Sequence, residues 1–412
     1  MSLQDKIINK KFTAFVVGCG YTGLPLAEII SKNNIKTIAY DINKLLIKSL
    51  KKNKKYSKIN FTDNIKYISK ADIILICLPT PLTSNKDPDL SYISNFLESS
   101  KNYLKKNQLM ILESTTYPGT TKEVLNLFLS KKFKIGYNYF TGYSPERIDP
   151  GRKINFENIS KICSGTTLKC KKLVGEFYKI FITKVMLVSN NETAEFVKIY
   201  ENIFRATNIS LVNEMKILSN AFGLDINEII NAADTKPYGF MRFNPGPGIG
   251  GHCIPVDPFY LTWKAKEFGL HTRFIELAGE INQKMPEWIV SKMIEILNQK
   301  KIIISKSKCL ILGAAYKKNI SDYRESPFFK FVDIFSKFKI NFNYHDPWIK
   351  RIQYKNKSYK SIPINNVNLK KFDYAILLTD HDDINYKKIE KKFQIIFDTR
   401  NRFKNSKNIF KL

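Results

Sequence analysis

A glycine-rich turn near the start of the chain has the composition of a dinucleotide-binding loop. In VVGCGYTGLPLA, Gly18, Gly20 and Gly23 lie between an apolar run and an amphipathic stretch. Glycines at this spacing permit a tight turn, close approach of the backbone to a pyrophosphate, and close helix packing. Asp41 follows about 20 residues later, where a carboxylate binds ribose hydroxyls and repels a 2′-phosphate. The pattern predicts NAD rather than NADP; a tight turn without a ligand is the alternative.

A second loop carries one cysteine among glycines and prolines. In GPGIGGHCIPVDP, the glycines let the backbone approach a ligand and the prolines stiffen the loop around Cys253. A thiolate there is a candidate nucleophile, although a lone cysteine is often a small buried apolar residue. Adjacent side chains usually point in different directions, so a structural role is favoured for His252 over that of a base.

Further polar residues occupy positions suited to a cleft. Lys198 and Asn202 are four residues apart in a helical stretch, residues 191–222, and therefore share a face. Two donors on one face suit a developing oxyanion; an exposed helix face is the alternative. The segments ESTTYPGTT (113–121) and YSPERIDPG (143–151) place polar side chains after predicted strands, at the ligand-binding edge of a doubly wound sheet.

Length and composition indicate a folded protein of several domains. At about 150 residues per domain, 412 residues predict two to three domains, and 43% hydrophobic residues suffice for packed cores. No segment approaches the roughly 20 apolar residues of a membrane-spanning helix, and the N-terminal segment lacks the apolar core of a signal peptide. We therefore expect a cytoplasmic protein with no membrane partner.

The net charge of +30 raises the question of nucleic-acid binding. The lysines are dispersed in doublets, which favours solvated faces; steering of an anionic ligand or a polyanion is the alternative.

The six cysteines are scattered without a CxxC pair and apart from the four histidines. We expect reduced thiols, no metal site and no nucleic-acid partner.

The order of elements predicts an α/β fold with two Rossmann-like, doubly wound domains joined by a long central helix and a helical middle domain. The predicted boundaries are 1–190 for a dinucleotide-binding domain, 191–300 for the helical domain with the cysteine loop, and 301–412 for the second α/β domain. Predicted strands cover residues 12–17, 35–40, 73–78, 109–113, 185–188, 309–312, 341–344, 374–378 and, as the last strand, 395–398.

Eight motifs in order resemble the UDP-glucose/GDP-mannose dehydrogenase family from end to end: GCGYTGLPLA, CLPTPL, ESTTYPGTT, YSPERIDPG, KIYENIFRATNISLVNEM, PGPGIGGHCIPVDPFYL, AAYKKNISDYRESP and FDTRN. The resemblance implies NAD-dependent, metal-free oxidation of the 6-hydroxymethyl group of a UDP-sugar to a carboxylate. The cysteine-loop region is most similar to the branch that acts on UDP-N-acetylglucosamine in surface-polysaccharide synthesis. UDP-glucose and UDP-N-acetylmannosamine stay as alternative substrates, and a non-catalytic nucleotide-sugar-binding protein is the alternative class.

The same resemblance implies roles for individual residues. Cys253 forms a thiohemiacetal and then a thioester; Lys198 and Asn202 stabilise oxyanions; Asp257 assists with water and protons. Glu146 is the base of thioester hydrolysis and Thr115 orients the water. The residues implied in NAD binding are Gly18, Gly20, Tyr21, Thr22, Gly23, Asp41, Pro79, Thr80 and Thr115. Those implied in substrate binding are Glu146, Arg147, Lys198, Asn202, Gly250, Lys317, Arg324 and Arg400.

The chain departs from related patterns at two positions. UDP-glucose dehydrogenases carry a second glutamate four residues after the first, where this chain has Pro150, so a two-carboxylate hydrolysis scheme does not carry over to this chain. Arg242 puts a charge where a neutral residue is expected.

The second α/β domain contains the strand and turn LILGAAYKK, which lacks the GxGxxG spacing and resembles a dinucleotide half adapted to UDP. The family resemblance implies a homodimer or larger homo-oligomer.

Overall fold

The computed structural model describes residues 1–83, 85–148, 155–251, 254 and 256–412. Two compact units divide the chain. The first contains Met1–Glu201 and Phe259–His271, and the second contains Asn202–Pro258 and Thr272–Leu412. Cys253, His252 and Pro150 lie outside the described residues.

The first unit is built on an eight-stranded sheet. Its strands are β1 (Thr13–Val17), β2 (Lys36–Tyr40), β3 (Ile59–Thr62), β4 (Ile73–Ile76), β5 (Leu109–Leu112), β6 (Phe140–Tyr143), β7 (Lys161–Gly165) and β8 (Val185–Leu187). The spatial order is β3-β2-β1-β4-β5-β6-β7-β8. The first six strands in this spatial order, from β3 through β2 and β1 to β6, are parallel. Strand β7 runs antiparallel to β6, and β8 runs parallel to β7. The strand order reverses between β1 and β4, which is where doubly wound sheets bind ligands.

Helices of the first unit are α1 (Leu3–Ile8), α2 (Gly23–Lys32), α3 (Lys44–Lys52), α4 (Ser91–Ser100), α5 (Leu127–Leu129) and α6 (Leu168–Tyr178), with a π-helix at Thr121–Asn126 and 3₁₀-helices at Lys54–Tyr56, Ile65–Lys70 and Phe156–Asn158. Alternate residues of β1 face opposite cores: Val16 packs in one apolar cluster, and Phe15 and Val17 pack in another. Helices cover both faces of a parallel sheet, so successive residues of a strand are buried. The strand TAFVV is therefore almost continuously apolar.

Two helices contribute to both units: α7 (Asn191–Ala221) and α9 (Asp257–Lys266). The second unit also contains α8 (Ile226–Ala233), α10 (Arg273–Gln299), α11 (Pro327–Lys337), α12 (Asn366–Leu369), α13 (Tyr386–Lys392) and a 3₁₀-helix at Ile304–Lys306. None of the helices among the described residues is long and apolar enough to cross a bilayer.

The sheet of the second unit has the order β10-β9-β13-β14-β15 and is parallel throughout. Its strands are β9 (Lys308–Leu312), β10 (Asn341–His345), β13 (Tyr374–Leu377), β14 (Ile396–Asp398) and β15 (Ile409–Lys411), and a separate hairpin pairs β11 (Arg351–Tyr354) with β12 (Lys357–Lys360). The predicted α/β class and the long helix at 191–222 are confirmed. The prediction that 395–398 is the last strand is wrong, because β15 extends the sheet with only three residues, too few for a periodic signal.

Candidate active site

The glycine-rich turn follows β1 and leads into α2. Gly18 has a φ of +93°, and a Cβ added there would lie 2.5 Å from the Cys77 carbonyl oxygen. A Cβ on Gly23 would lie 1.9 Å from the Gly18 carbonyl oxygen, so this glycine lets the helix pack against the turn. A Cβ on Gly20 would meet nothing within 4 Å. The open space at Gly20 fits a pyrophosphate approaching the start of α2.

Asp41 lies beside this turn because β1 and β2 end in register, with Val17 opposite Tyr40. Its carboxylate accepts hydrogen bonds from the backbone N–H of Cys19, at 2.9 Å, and of Asn43, at 2.8 Å. The carboxylate therefore holds the turn in shape and remains partly accessible. Of the other predicted turn residues, Tyr21 is 45% exposed and Thr22 is the N-cap of α2 without a side-chain cap bond.

Two loops at the same edge of the sheet are joined by a hydrogen bond. Thr80, in the loop after β4, is buried, and its Oγ1 donates to the Thr115 carbonyl oxygen after β5 at 2.7 Å. The Tyr260 hydroxyl donates to the Thr80 carbonyl oxygen at 2.5 Å. In these loops Pro79 is exposed and Thr115 is half-buried. The predicted NAD-binding residues thus all lie where the first unit's parallel strands end.

The loop after β6 carries Glu146 and Arg147. Glu146 Oε1 accepts from the backbone N–H of Arg147, at 2.6 Å, and of Ile148, at 2.7 Å. The Arg147 guanidinium pairs with Glu201, with an Nη2–Oε1 distance of 2.5 Å, and donates from Nη1 to the Ser160 carbonyl oxygen at 2.6 Å. In this structure Arg147 is therefore occupied by protein partners.

Next to Glu146 lies a buried charged cluster that the sequence did not predict. Lys161 Nζ is 2.5 Å from Glu113 Oε2 and 3.5 Å from Glu146 Oε2, and the Tyr178 hydroxyl donates to Glu113 Oε1. Lys161 and Glu113 are 2% and 1% exposed. Burial raises the pKa of Glu113 to about 7, against the lowering effect of Lys161. The available signal was a glutamate directly after the apolar strand β5.

Lys198 lies on α7 within the first unit. Its side chain is buried, at 9% exposure, and its ammonium makes no hydrogen bond or ion pair within the part of the chain that the structure describes. Because Lys198 is largely buried and no described residue neutralises its charge, an anionic ligand group would stabilise this site. The alternative prediction of an exposed helix face is wrong at this position and at Asn202, which is 4% exposed.

In the second unit, Asn202 and Asp257 contact each other. Asn202 Nδ2 donates to Asp257 Oδ2 at 2.6 Å, and both side chains are buried.

The glycine loop at Gly250 and Gly251 packs closely. A Cβ on Gly250 would lie 2.7 Å from the Glu325 carbonyl oxygen, and the Gly251 N–H donates to the Arg324 carbonyl oxygen at 3.0 Å. Glycine is thus required where this loop meets the segment before α11.

The predicted nucleotide-binding cations are distributed over the second unit. Arg324 pairs with Asp322, with an Nη2–Oδ2 distance of 2.7 Å, and Lys317 has a partner of its own. Arg400 Nε donates to the Leu378 carbonyl oxygen at 2.7 Å. Arg400 also lines a cavity of about 200 Å³, whose charged lining residues are Lys216, Arg242, Asp398, Arg400 and Lys411. Arg242 itself bonds to Asn231 at 2.9 Å and lies 3.4 Å from Asp234.

The second unit also has a glycine turn after its first strand and an aspartate after its second strand, but here the carboxylate is buried. Gly313 after β9 has a φ of +83°. Asp346 after β10 is 0% exposed and accepts from the N–H groups of Ala314 and Ala315 at 2.7 and 3.0 Å. His381 Nδ1 accepts from the Asn319 N–H, so Nε2 carries the proton donated to Asp346 at 3.0 Å. Asp346 is therefore buried and satisfied, unlike Asp41.

Cys253 and His252 are outside the described ranges. The five cysteines that the structure does describe are unpaired and buried. Among the described residues, no three His, Cys, Asp or Glu side chains are grouped to hold a metal ion.

Comparison with family models gives three matches in chain order. The NAD binding domain of the UDP-glucose/GDP-mannose dehydrogenase family matches residues 13–182, its central domain matches 192–284, and its UDP binding domain matches 310–405. Together these matches account for most of the chain.

Individual proteins are similar over nearly their whole length. UDP-N-acetyl-D-glucosamine 6-dehydrogenase of Pseudomonas aeruginosa is 33% identical, over 95% of this chain and 97% of that protein. UDP-N-acetyl-D-mannosamine dehydrogenase of Pyrococcus horikoshii is 32% identical, over 94% and 95%. A solved structure of UDP-D-ManNAc dehydrogenase from Pyrococcus horikoshii superposes with a TM-score of 0.87 at 30% identity, covering 96% of each chain.

Proposed function

Because the chain belongs to the UDP-glucose/GDP-mannose dehydrogenase family, we propose that it oxidises the 6-hydroxymethyl group of UDP-N-acetylglucosamine to a carboxylate, for surface-polysaccharide synthesis. The chain is an NAD-dependent oxidoreductase with a Rossmann-like cofactor domain. The similarity to a UDP-N-acetylglucosamine 6-dehydrogenase over 95% of the chain supports this substrate. UDP-N-acetylmannosamine is the second candidate, supported by the relative and the solved structure from Pyrococcus horikoshii.

The observation that carries the chemistry is the position of Lys198, which is 9% exposed and has no hydrogen-bond or ion-pair partner among the described residues. Oxidation of an alcohol to a carboxylate passes through species with negative charge on the reacting oxygen. In the proposed mechanism Lys198 stabilises that charge, and the second N–H of Asn202 assists while Asp257 holds the first. Two NAD molecules, bound one after the other, would each accept one hydride, one for each oxidation.

The proposed nucleophile is Cys253. Its thiolate adds to C6 of the aldehyde to form a thiohemiacetal, and loss of hydride from C6 leaves a thioester. Water then attacks the thioester carbon, the C–S bond breaks, and Glu146 accepts the proton of the water. Thr115 orients this water in the proposal. Covalent capture keeps the aldehyde bound between the two oxidations.

The residues around the glycine turn are proposed to hold NAD. Gly20 leaves space for the pyrophosphate, Asp41 receives the ribose hydroxyls, and Thr80 and Thr115 position the loops beside them. On the substrate side we propose Arg147, Gly250, Lys317, Arg324 and Arg400 as contacts of the UDP-sugar. A UDP-binding role for the second unit agrees with the family match at 310–405.

We also propose that the chain works as a homodimer or a larger homo-oligomer in the cytoplasm. Along α7 and the residue after it, one face of the second unit exposes five large apolar side chains: Phe204, Leu211, Met215, Leu218 and Phe222. Their spacing of three, four and seven residues defines a helical stripe. An exposed apolar stripe of this kind is suited to a symmetric contact with a second copy. Buried reduced thiols agree with a reducing compartment.

The test is NADH formation with a panel of UDP-sugars. We expect two NADH per UDP-N-acetylglucosamine, and lower kcat/KM with UDP-N-acetylmannosamine and UDP-glucose. Oxidation of UDP-glucose alone would contradict the proposed substrate, and oxidation of none of them would contradict the proposed function.

The Cys253→Ser variant tests the covalent step. We expect a loss of steady-state oxidation of about a thousandfold or more, with UDP-sugar binding retained, because the hydroxyl is a far weaker nucleophile than the thiolate. Cys170→Ser, a buried thiol on α6, is the matched control and should keep wild-type kcat. Unchanged turnover in Cys253→Ser would reject the thioester.

A further inference from the structure

Three charged side chains form a buried row beneath the loop after β6. Lys161, the first residue of β7, lies between Glu113, which follows β5, and Glu146. Its Nζ is 2.5 Å from Glu113 Oε2 and 3.5 Å from Glu146 Oε2. The side chains of Lys161 and Glu113 are 3% and 0% exposed, and that of Glu146 is 11% exposed. One ammonium therefore serves two carboxylates out of contact with bulk water.

The position of Glu146 depends on this row. Its Oε1 is held by the backbone N–H groups of Arg147 and Ile148 at 2.6 and 2.7 Å. Its Oε2 faces Lys161. The backbone thus holds one oxygen and Lys161 the other, so loss of Lys161 would leave the second oxygen unrestrained and unpaired.

Glu113 determines how strongly Lys161 acts on Glu146. The Glu113 carboxylate makes the shorter contact with Lys161, and its other oxygen accepts from the Tyr178 hydroxyl. A bare ammonium beside Glu146 would stabilise its ionised form and weaken it as a base. Glu113 neutralises most of that effect, which leaves Glu146 both oriented and basic.

We propose that Lys161 is a positioning residue for the hydrolysis step and that Glu113 is its charge-balancing partner. This inference rests on the proposed function, in which Glu146 accepts the proton of the attacking water. An O–H bond of water breaks as its oxygen bonds to the thioester carbon, and the C–S bond breaks with sulfur leaving as the thiolate. No oxidant or reductant is consumed. Glu113 brings a second carboxylate to the cluster from β5, although Pro150 occupies the position where related enzymes carry one.

The charge state of the cluster gives the proposal a pH signature. Burial raises the pKa of Glu113 to about 7. The other titratable groups that face Glu113 are Lys161 and Cys163 on β7, Tyr178 on α6, and Glu146 and Cys77 in loops. Burial raises the pKa of Cys163 to about 12 and those of Cys77 and Tyr178 well above their usual range, so these three stay neutral. Protonation of Glu113 leaves Lys161 paired with Glu146 alone and slows hydrolysis.

The first experiment compares Lys161→Met with the wild type in rapid-mixing kinetics. We expect a burst of two NADH per active site followed by a steady state slowed roughly tenfold or more, because only the step that uses the base is impaired. Intact-mass spectrometry should trap the acyl-enzyme, and KM for the UDP-sugar should stay within about twofold. Lys161→Arg, which keeps the charge, should recover part of the rate.

Lys264→Met is the matched control. Lys264 is also a single lysine, 9% exposed, between two glutamates, with distances of 2.7 Å to Glu123 and 2.8 Å to Glu267. We expect its steady-state rate to equal that of the wild type. A burst that appears equally in Lys264→Met would overturn the proposal, because it would show a general effect of losing a lysine that pairs with two glutamates.

Two further variants separate positioning from folding. Lys161→Met alone leaves the buried Glu113 carboxylate without a cation. Lys161→Met with Glu113→Gln removes that carboxylate charge as well and leaves only Glu146, whose Oε1 the backbone still binds, so the double variant should fold. The double variant should still show the burst of NADH followed by a slowed steady state. Recovery of the wild-type steady-state rate in the double variant would overturn the positioning role of Lys161.

The pH profile supplies the last readout. In the wild type the steady-state rate should fall on the acid side of about pH 7 as Glu113 gains a proton. In Glu113→Gln that acid limb should be missing and the rate should stay at its low, acid-side level. An unaltered acid limb in Glu113→Gln would overturn the part assigned to Glu113. If the wild type forms no NADH from any UDP-sugar, the proposed function fails, and this inference fails with it.

Discussion

Gly18, Gly20 and Gly23 are one amino acid used for three physical reasons. Gly18 adopts a positive φ, and Gly23 sits where a side chain would overlap the Gly18 carbonyl oxygen. Gly20 has neither constraint, since its missing side chain faces open space. Gly18 and Gly23 therefore serve the turn itself, and only Gly20 fits the proposed role of leaving space for a ligand.

The Gly20→Ala variant separates folding from cofactor binding. We expect the melting temperature of the variant without NAD to match the wild type, because the added methyl meets no protein atom. The Kd for NAD should rise roughly tenfold or more, since the methyl occupies space proposed for the pyrophosphate. Calorimetric titration with NAD and thermal melts measure the two effects.

Gly23→Ala is the contrasting variant. Its methyl would lie 1.9 Å from a backbone oxygen, so the turn must shift, and we expect a loss of about 1–3 kcal/mol in the free energy of unfolding. A wild-type Kd for NAD in Gly20→Ala would show that the open space is not the pyrophosphate site.

The helix that begins at Thr121 has its N-terminus capped by a residue distant in the chain. Glu195 on α7 is 0% exposed and accepts from the N–H groups of Gly119 and Thr121 at 2.6 and 2.8 Å, and from Thr121 Oγ1 at 2.6 Å. A carboxylate near a helix start satisfies N–H groups that have no partner within the helix and complements the helix dipole. This contact ties the loop that contains Thr115 to α7 within the first unit.

Glu195→Gln tests that cap. The amide would place an NH₂ group against backbone or hydroxyl donors, and we expect a loss of about 1–3 kcal/mol in the free energy of unfolding near pH 7. Glu192→Gln, on the first turn of the same helix, is the control and should change little. Equal stability of Glu195→Gln and the wild type in urea denaturation would contradict the assigned role.

The direction of the pKa shift of Glu195 determines how its contribution to stability depends on pH. Burial raises the pKa of Glu195 to about 7, so between its unfolded value and about 7 the folded state binds more protons than the unfolded state. The contribution of Glu195 to stability is therefore largest at acid pH and falls as pH rises to about 7. We expect the stability deficit of Glu195→Gln to be larger at about pH 5 than at about pH 7.5.

The two units show how one arrangement of elements is put to different uses. In both, a glycine turn follows the first strand and an aspartate ends the second strand and binds the turn's N–H groups. Asp41 stays partly accessible, whereas His381 covers Asp346. The second turn therefore has no ribose-binding carboxylate to offer, which agrees with the match to a UDP binding domain.

For the whole molecule, the apolar stripe on α7 predicts self-association. We expect the wild type to sediment at twice the chain mass of 47.8 kDa or more, and Leu211→Glu with Leu218→Glu to shift it toward the single-chain mass, because charges oppose burial of the stripe. Leu168→Glu, an 81% exposed leucine outside the stripe, is the control. A wild type that sediments as a single chain would contradict the proposed oligomer.

Local signals predicted much of the fold. The apolar strands β1, β4 and β5 and the long helix α7 were predicted within a few residues, because buried parallel strands and amphipathic helices each leave a periodic pattern. Strands β3, β6, β7, β11, β12 and β15 were not predicted. They have three to five residues each, with polar residues among the apolar ones, and depend on neighbouring strands for their pairing.

The order of residues alone predicted the α/β class, the NAD turn with its aspartate, and the family. Those properties depend on neighbours within about 20 residues or on motifs read in sequence. Folding was needed to bring Lys161 to Glu113 across 48 positions and Glu195 to Gly119 across 76. Such pairs leave no local pattern, because their free energy comes from removing two distant groups from water at the same place. The ion cluster beneath Glu146 is therefore a property of the tertiary structure.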